Sequence, residues 1–145
     1  MTSEDKYKYW VMLSEYDMET AKVLLDAKRY MYVTYMCEQA VERLLKGMYV
    51  FYVGKESPKS HNIIFLLNQL QKNNSFSLKA KTTDFEQQKL KYEDFFADLI
   101  FYYMSDYPFS YIKIMDRFVS EEVASELFEK TKEVLIWLKS LQQRH

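Results

Sequence analysis

Residues 30–52, YMYVTYMCEQAVERLLKGMYVFY, decide how the rest of the chain must be arranged. Apolar side chains recur at Tyr30, Val33, Cys37, Ala40, Val41, Leu44, Leu45, Met48 and Tyr52, in steps of three and four that lay one stripe along a helix. Glu38, Gln39, Glu42, Arg43 and Lys46 fall on the other face. Glu42 and Lys46 have the favourable i,i+4 spacing, worth roughly 0.2–0.5 kcal/mol. A helix of this length spans roughly 35 Å, so every other element must pack against it or its neighbours, and that implies a bundle.

Composition narrows the choice further. A chain of 145 residues is expected to form a single domain over 1–145, large enough to bury a core without disulfides or metal. Two glycines and two prolines leave little of the turn chemistry that β-hairpins need. The expectation is an all-α, up-and-down bundle of four to five helices. Twenty Lys+Arg against 21 Asp+Glu give a net charge of -1, which excludes a whole-surface attraction to nucleic acid, so an anionic ligand must meet a local patch. The single cysteine, Cys37, lies on the apolar stripe and reads as a small core hydrophobe in a reducing compartment. With no charged-then-apolar leader and no long apolar run, the reading is a cytoplasmic, soluble protein with no membrane partner.

Taken in order, residues 3–28 form a first helix capped by Ser3, with Trp10, Ser14, Met18, Ala21 and Leu25 on its inner face. The link Ala27–Tyr30 makes it an antiparallel hairpin with the central helix, which Gly54 ends. Ser60 is the expected cap of a third helix carrying Ile63, Ile64, Leu67 and Leu70, closed by Asn73, Asn74 and Ser75. Lys72, Lys79, Lys81, Lys89 and Lys91 outnumber Asp84 and Glu86 in the stretch that follows, either a solvated loop or an anion-attracting lip. A fourth helix is expected from Thr83 to Asp106, before Pro108. Phe95, Ile100, Phe101 and Tyr102 make it apolar nearly all round, so a second subunit is expected against it, with Phe95, Phe101 and Tyr102 at a homodimer interface. The stretch from Tyr107 to Val119 reads as a crossover, and Ser120 caps a last helix with Val123, Leu127, Thr131, Val134, Leu138 and Leu141 inward.

Most catalytic chemistry is missing from the residues. Di-iron bundles need Glu-x-x-His on two helices, whereas the two histidines, His61 and His145, follow Pro58 and Gln142 at that spacing. Asp94 and Asp98 share a helix face but have no imidazole partner. Neither a Walker loop nor a dinucleotide fingerprint can be built from two isolated glycines. A Cys37–His61 nucleophile pair would need a histidine brought to a buried stripe. No metal, no cofactor and no catalytic residue is expected.

Several runs resemble the prokaryotic HEPN domain. They are Trp10, Asp17-Met18, Ala21, Leu25 and Arg29-Tyr30; then Cys37-Glu38-Gln39-Ala40-Val41-Glu42-Arg43-Leu44-Leu45-Lys46-Gly47; then Ser60-His61-Asn62-Ile63; and last Tyr103 with Asp106-Tyr107-Pro108. The resemblance extends from about residue 7 to 140 and implies a helical bundle and a dimer. Many HEPN domains are ribonucleases with Arg followed four to six residues later by His, often paired with a minimal nucleotidyltransferase as toxin and antitoxin. Here Asp106 stands where the family has that Arg, Phe109 where it has Asp, and Arg117 has no His following in range. An aspartate there would repel a scissile phosphate.

The resemblance therefore implies a non-catalytic module, acting as a dimer, that binds a nucleotide, an RNA or a nucleotidyltransferase partner. The alternatives are a toxin ribonuclease with a degenerate motif and a purely structural interaction subunit. The family's functional end of helix four maps the ligand to Tyr103, Asp106, Tyr107 and Pro108, with Lys113 and Arg117 as phosphate partners.

Overall fold

A computed structural model describes residues 1–103 and 119–142 of the chain. Among these residues are seven helices and no strand: α1 (Ser3–Asp26), α2 (Tyr30–Val53), α3 (Ile63–Gln71), α4 (Asn74–Lys79), α5 (Phe85–Lys91), α6 (Glu93–Tyr103) and α7 (Glu121–Ser140). The all-α bundle is as expected, and none of these helices is long and apolar enough to cross a membrane.

The helix ends depart from the expected caps in instructive ways. Thr2, not Ser3, starts α1: its Oγ1 accepts from Asp5 N at 3.0 Å and the Asp5 carboxylate accepts from Thr2 N at 3.1 Å, a reciprocal capping box. α1 closes with Lys28 at φ 63°, while Arg29 N bonds Leu24 O at 2.8 Å and Lys28 N bonds Leu25 O at 3.1 Å. That is a Schellman turn with lysine in the left-handed position usually given to glycine. Gly54, at φ 80°, ends α2 as expected.

The cap of α3 is Asn62, whose Oδ1 accepts from Phe65 N at 3.0 Å; Ser60 Oγ accepts from Asn62 N at 3.1 Å and shapes the turn ahead of it. His61 is therefore outside the helix. Asn73, read as part of a helix end, caps the short α4 through Ser75 N at 2.9 Å. The single helix expected from Thr83 is divided at Tyr92, which adopts φ -99°, ψ 6°. Hydrogen bonds from Tyr92 N to Gln88 O and from Phe96 N to Tyr92 O continue across the break, so it is a bend, and the Tyr92 ring lies 5.5 Å from that of Trp137. Ser120 caps α7 by accepting from Val123 N at 3.2 Å. The expected helix end at Asp106 and the crossover up to Phe118 lie outside the described residues.

α2 is the axis of the bundle, contacted by α1, α3, α4, α6 and α7. Its stripe from Val33 to Tyr52 is buried, with Tyr30 partly so, and each fully buried Leu or Met contributes roughly 1.5–3 kcal/mol. α1 runs antiparallel to it: Tyr7 meets Phe51, Trp10 meets Gly47, and Ser14 Oγ donates to Ala40 O at 2.7 Å. A Cβ on Gly47 would stand 2.6 Å from Trp10 Cβ, so only glycine allows the two backbones to approach this closely. α7 closes the other side, with Trp137 packed at a tilt against Phe85 and Tyr92.

Candidate functional site

The polar face of α2 is not left to water. Glu38 and Glu42 are buried, as is Asp17 of α1, and Gln39, Arg43 and Lys46 are half-buried beside them. Helical geometry alone puts Glu38 and Glu42 one turn apart, a like-charge spacing that is unfavourable unless one charge is removed or both are paired.

Glu42 is the hub. Its Oε1 accepts from Lys46 Nζ at 3.1 Å and from His61 Nδ1 at 2.7 Å, and its Oε2 accepts from Gln39 Nε2 at 2.8 Å. The same Gln39 amide donates to Glu38 Oε2 at 3.0 Å, and Arg43 donates to Asp17 Oδ1 at 3.0 Å. Glu38 Oε1 and Asp17 Oδ2 have no hydrogen-bond partner among the described residues. Burial, reinforced by the charge of Glu42, pushes the Glu38 carboxyl up to about 8, so it is protonated at neutral pH. Burial also lifts Asp17, to about 6, against the opposing pull of Arg43. The cluster is thus two ion pairs, Asp17–Arg43 and Glu42–Lys46, with a neutral Glu38 between them.

His61 is the exposed member. Its side chain is 68% accessible although it bonds a carboxylate that is 3% accessible. Its ring lies 5.5 Å from the ring of Tyr103, at 33°, and Tyr103 stacks on Tyr35 at 5.3 Å and 18°. Chemically this is an imidazole oriented by a buried carboxylate, in an aromatic surround. The two cations on this face of α2, Arg43 and Lys46, are each already paired with a carboxylate.

Of the residues the sequence assigned to a ligand, Tyr103 is therefore in this site, at the end of α6. Asp106, Tyr107, Pro108, Lys113 and Arg117 lie outside the described residues. Glu38, Glu42, Asp17 and His61 were missed as a cluster. The signal was in the pattern all the same, in the repulsive Glu38/Glu42 spacing.

Other expected positions settle differently. Phe95 is 4% exposed within its own chain, where it lies at the wall of the groove beside Asp94 and Asp98; Phe101 and Tyr102 are half-buried. Large exposed apolar side chains lie instead on α1, at Tyr9, Met12, Tyr16 and Val23, 50–66% accessible. Cys37 is fully buried and its thiol is pushed up to about 12 by burial, while His61 Nδ1 goes to Glu42 instead. Asp94 and Asp98 line a groove of about 450 Å³ with Tyr102, Glu126 and Lys130, a surface too acidic for an anion. Among the described residues no three of His, Cys, Asp and Glu converge as metal ligands. In the lysine-rich stretch, Lys79 donates to Tyr52 O, Lys89 to Gln71 and Lys91 pairs with Glu133.

Comparison with curated proteins and with solved structures returns no match. The HEPN domain family matches residues 7–141, nearly the whole chain, and the protein belongs to that family.

Proposed function

We propose that this protein is a non-catalytic HEPN module that binds a nucleotide or RNA in the cytoplasm and acts as a dimer. Membership of the HEPN family supports a nucleotide- or RNA-related role. The observation that carries the binding site is the ring cluster at the end of α6: Tyr103 packed against Tyr35 and His61, beside the buried polar network of α2. Aromatic rings and an oriented imidazole suit a base and a phosphate.

Absence of cleavage follows from the charges. Metal-free cleavage of RNA needs a titratable group and a cation for the developing charge. His61 could fill the first role, but Arg43 and Lys46 are neutralised by Asp17 and Glu42. A purified sample incubated with labelled RNA should retain it on a filter and leave it intact. Cleavage that persists in chelator and disappears in His61→Ala would overturn this reading.

For the dimer, the outward stripe of α1 is the apolar surface we assign, with Phe101 and Tyr102 as the remaining α6 candidates. Tyr16→Glu should lower the mass seen by light scattering at micromolar concentration more than Tyr102→Glu does. A stable monomer in the unaltered protein excludes the dimer. A minimal nucleotidyltransferase is the partner the family resemblance implies, and co-purification of the two would test it.

A further inference from the structure

Burying an ionised carboxylate costs several kcal/mol unless it is fully hydrogen-bonded, and Glu42 is satisfied in part by a histidine whose own side chain is 68% accessible. So exposed a ring adds little packing, and the start of α3 already has its own cap in Asn62. What the arrangement does achieve is orientation. The Nδ1 edge is fixed on Glu42 and the ring is set against Tyr103. The opposite edge, which carries Nε2, is then the one turned to solvent.

We propose that His61 is a ligand-binding residue, its Nε2 donating to a phosphate oxygen of a nucleotide or RNA whose base lies against the Tyr35–Tyr103 stack. This rests on the binding function proposed above. Donation at both nitrogens, one to Glu42 and one to the phosphate, requires the doubly protonated ring, and a charge-assisted bond of this kind is short and strong. Nearby carboxylates do not oppose it: Asp17 and Glu42 are paired with Arg43 and Lys46, and Glu38 is kept neutral by burial.

His61→Asn separates a ligand contact from a structural one. The asparagine amide can replace Nδ1–H toward Glu42, but it has no atom where Nε2 sits. Titrating ATP and a short single-stranded RNA into both proteins should show at least about tenfold weaker binding in the variant, with helix content and melting temperature retained. Loss for ATP alone identifies a free nucleotide; loss for both identifies a backbone phosphate. Should the variant not fold, the unaltered protein answers the question by NMR. The chain has two histidines, so His145→Ala assigns the imidazole signals, and saturating probe should move that of His61. Unchanged affinity in folded His61→Asn, or a His61 signal that stays put at saturation, overturns this inference and leaves the proposed function standing. If neither probe binds the unaltered protein, both fall.

Discussion

On one face of α2, Cys37, Leu44 and Met48 bury apolar atoms in the core, whereas the opposite face buries Glu38 and Glu42 among Gln39, Lys46, His61, Asp17 and Arg43. The two faces of one helix are closed by different physics. Apolar burial gains free energy with area and is indifferent to which atoms touch. The charged face gains little net stability, because desolvation offsets attraction, but it tolerates few arrangements. Only a Lys four residues on, a Gln between the two acids and a His from the turn before α3 satisfy Glu42. The apolar face holds α2 in the bundle, and the polar face fixes where α1 and the α3 turn sit on it.

The largest effect should come from the apolar face. Leu44→Ala is expected to cost about 3–4 kcal/mol in chemical denaturation, since a fully buried leucine leaves a cavity. Glu42→Ala should cost less, about 2 kcal/mol, because exposed His61 and half-buried Lys46 can turn to water when their acceptor is lost. Equal or reversed costs would mean that the polar face is as strong a source of stability as the core, and would break the contrast.

Glu38→Gln sharpens it and should have the smallest effect. With its carboxyl raised from 4.5 to about 8 in the folded chain, Glu38 holds a proton that the unfolded chain gives up. Its contribution is intact below pH 4.5 and is lost as pH rises through about 8. Stability of the unaltered protein should therefore decline across this window, more steeply at its lower end where Asp17, raised from 3.8 to about 6, adds the same sign. Glu38→Gln should flatten the decline and gain roughly 1 kcal/mol at its alkaline end. Parallel pH–stability curves for the two proteins would show that Glu38 is ionised when folded.

The apolar half of this contrast was legible in the sequence. The stripe from Val33 to Tyr52 follows from period, the α1 hairpin from the short link, and the Gly54 stop and Ser120 cap from residue type. Burial of the polar half was not, because periodicity ranks a face by hydrophobicity and assigns Glu38 and Glu42 to the outside. Their enclosure depends on tertiary partners distant in sequence, Asp17 and His61, which no local window contains. Phe95 shows the reverse: a helix apolar nearly all round reads as having a spare face, whereas the Phe95 side chain is 4% exposed within its own chain. Tyr103 was singled out by the family resemblance. Its ring neighbours, Tyr35 and His61, required the fold.

The close contact of Gly47 with Trp10 bears on the order in which the chain folds. α1 and α2 are joined by a tight turn at Lys28 and share the most extensive contact of any pair of helices described. Contacts between segments so near in sequence need little loop closure, so they can form while the rest of the chain is still unstructured. Ser14 and Asp17 would then engage Ala40 and Arg43 first, with Glu42 left holding only Lys46 and Gln39. His61 can join that hub only when the α3 turn docks, and α7 reaches the apolar face from the far end of the chain. The site is in this sense the seam between an early hairpin and the later half of the molecule.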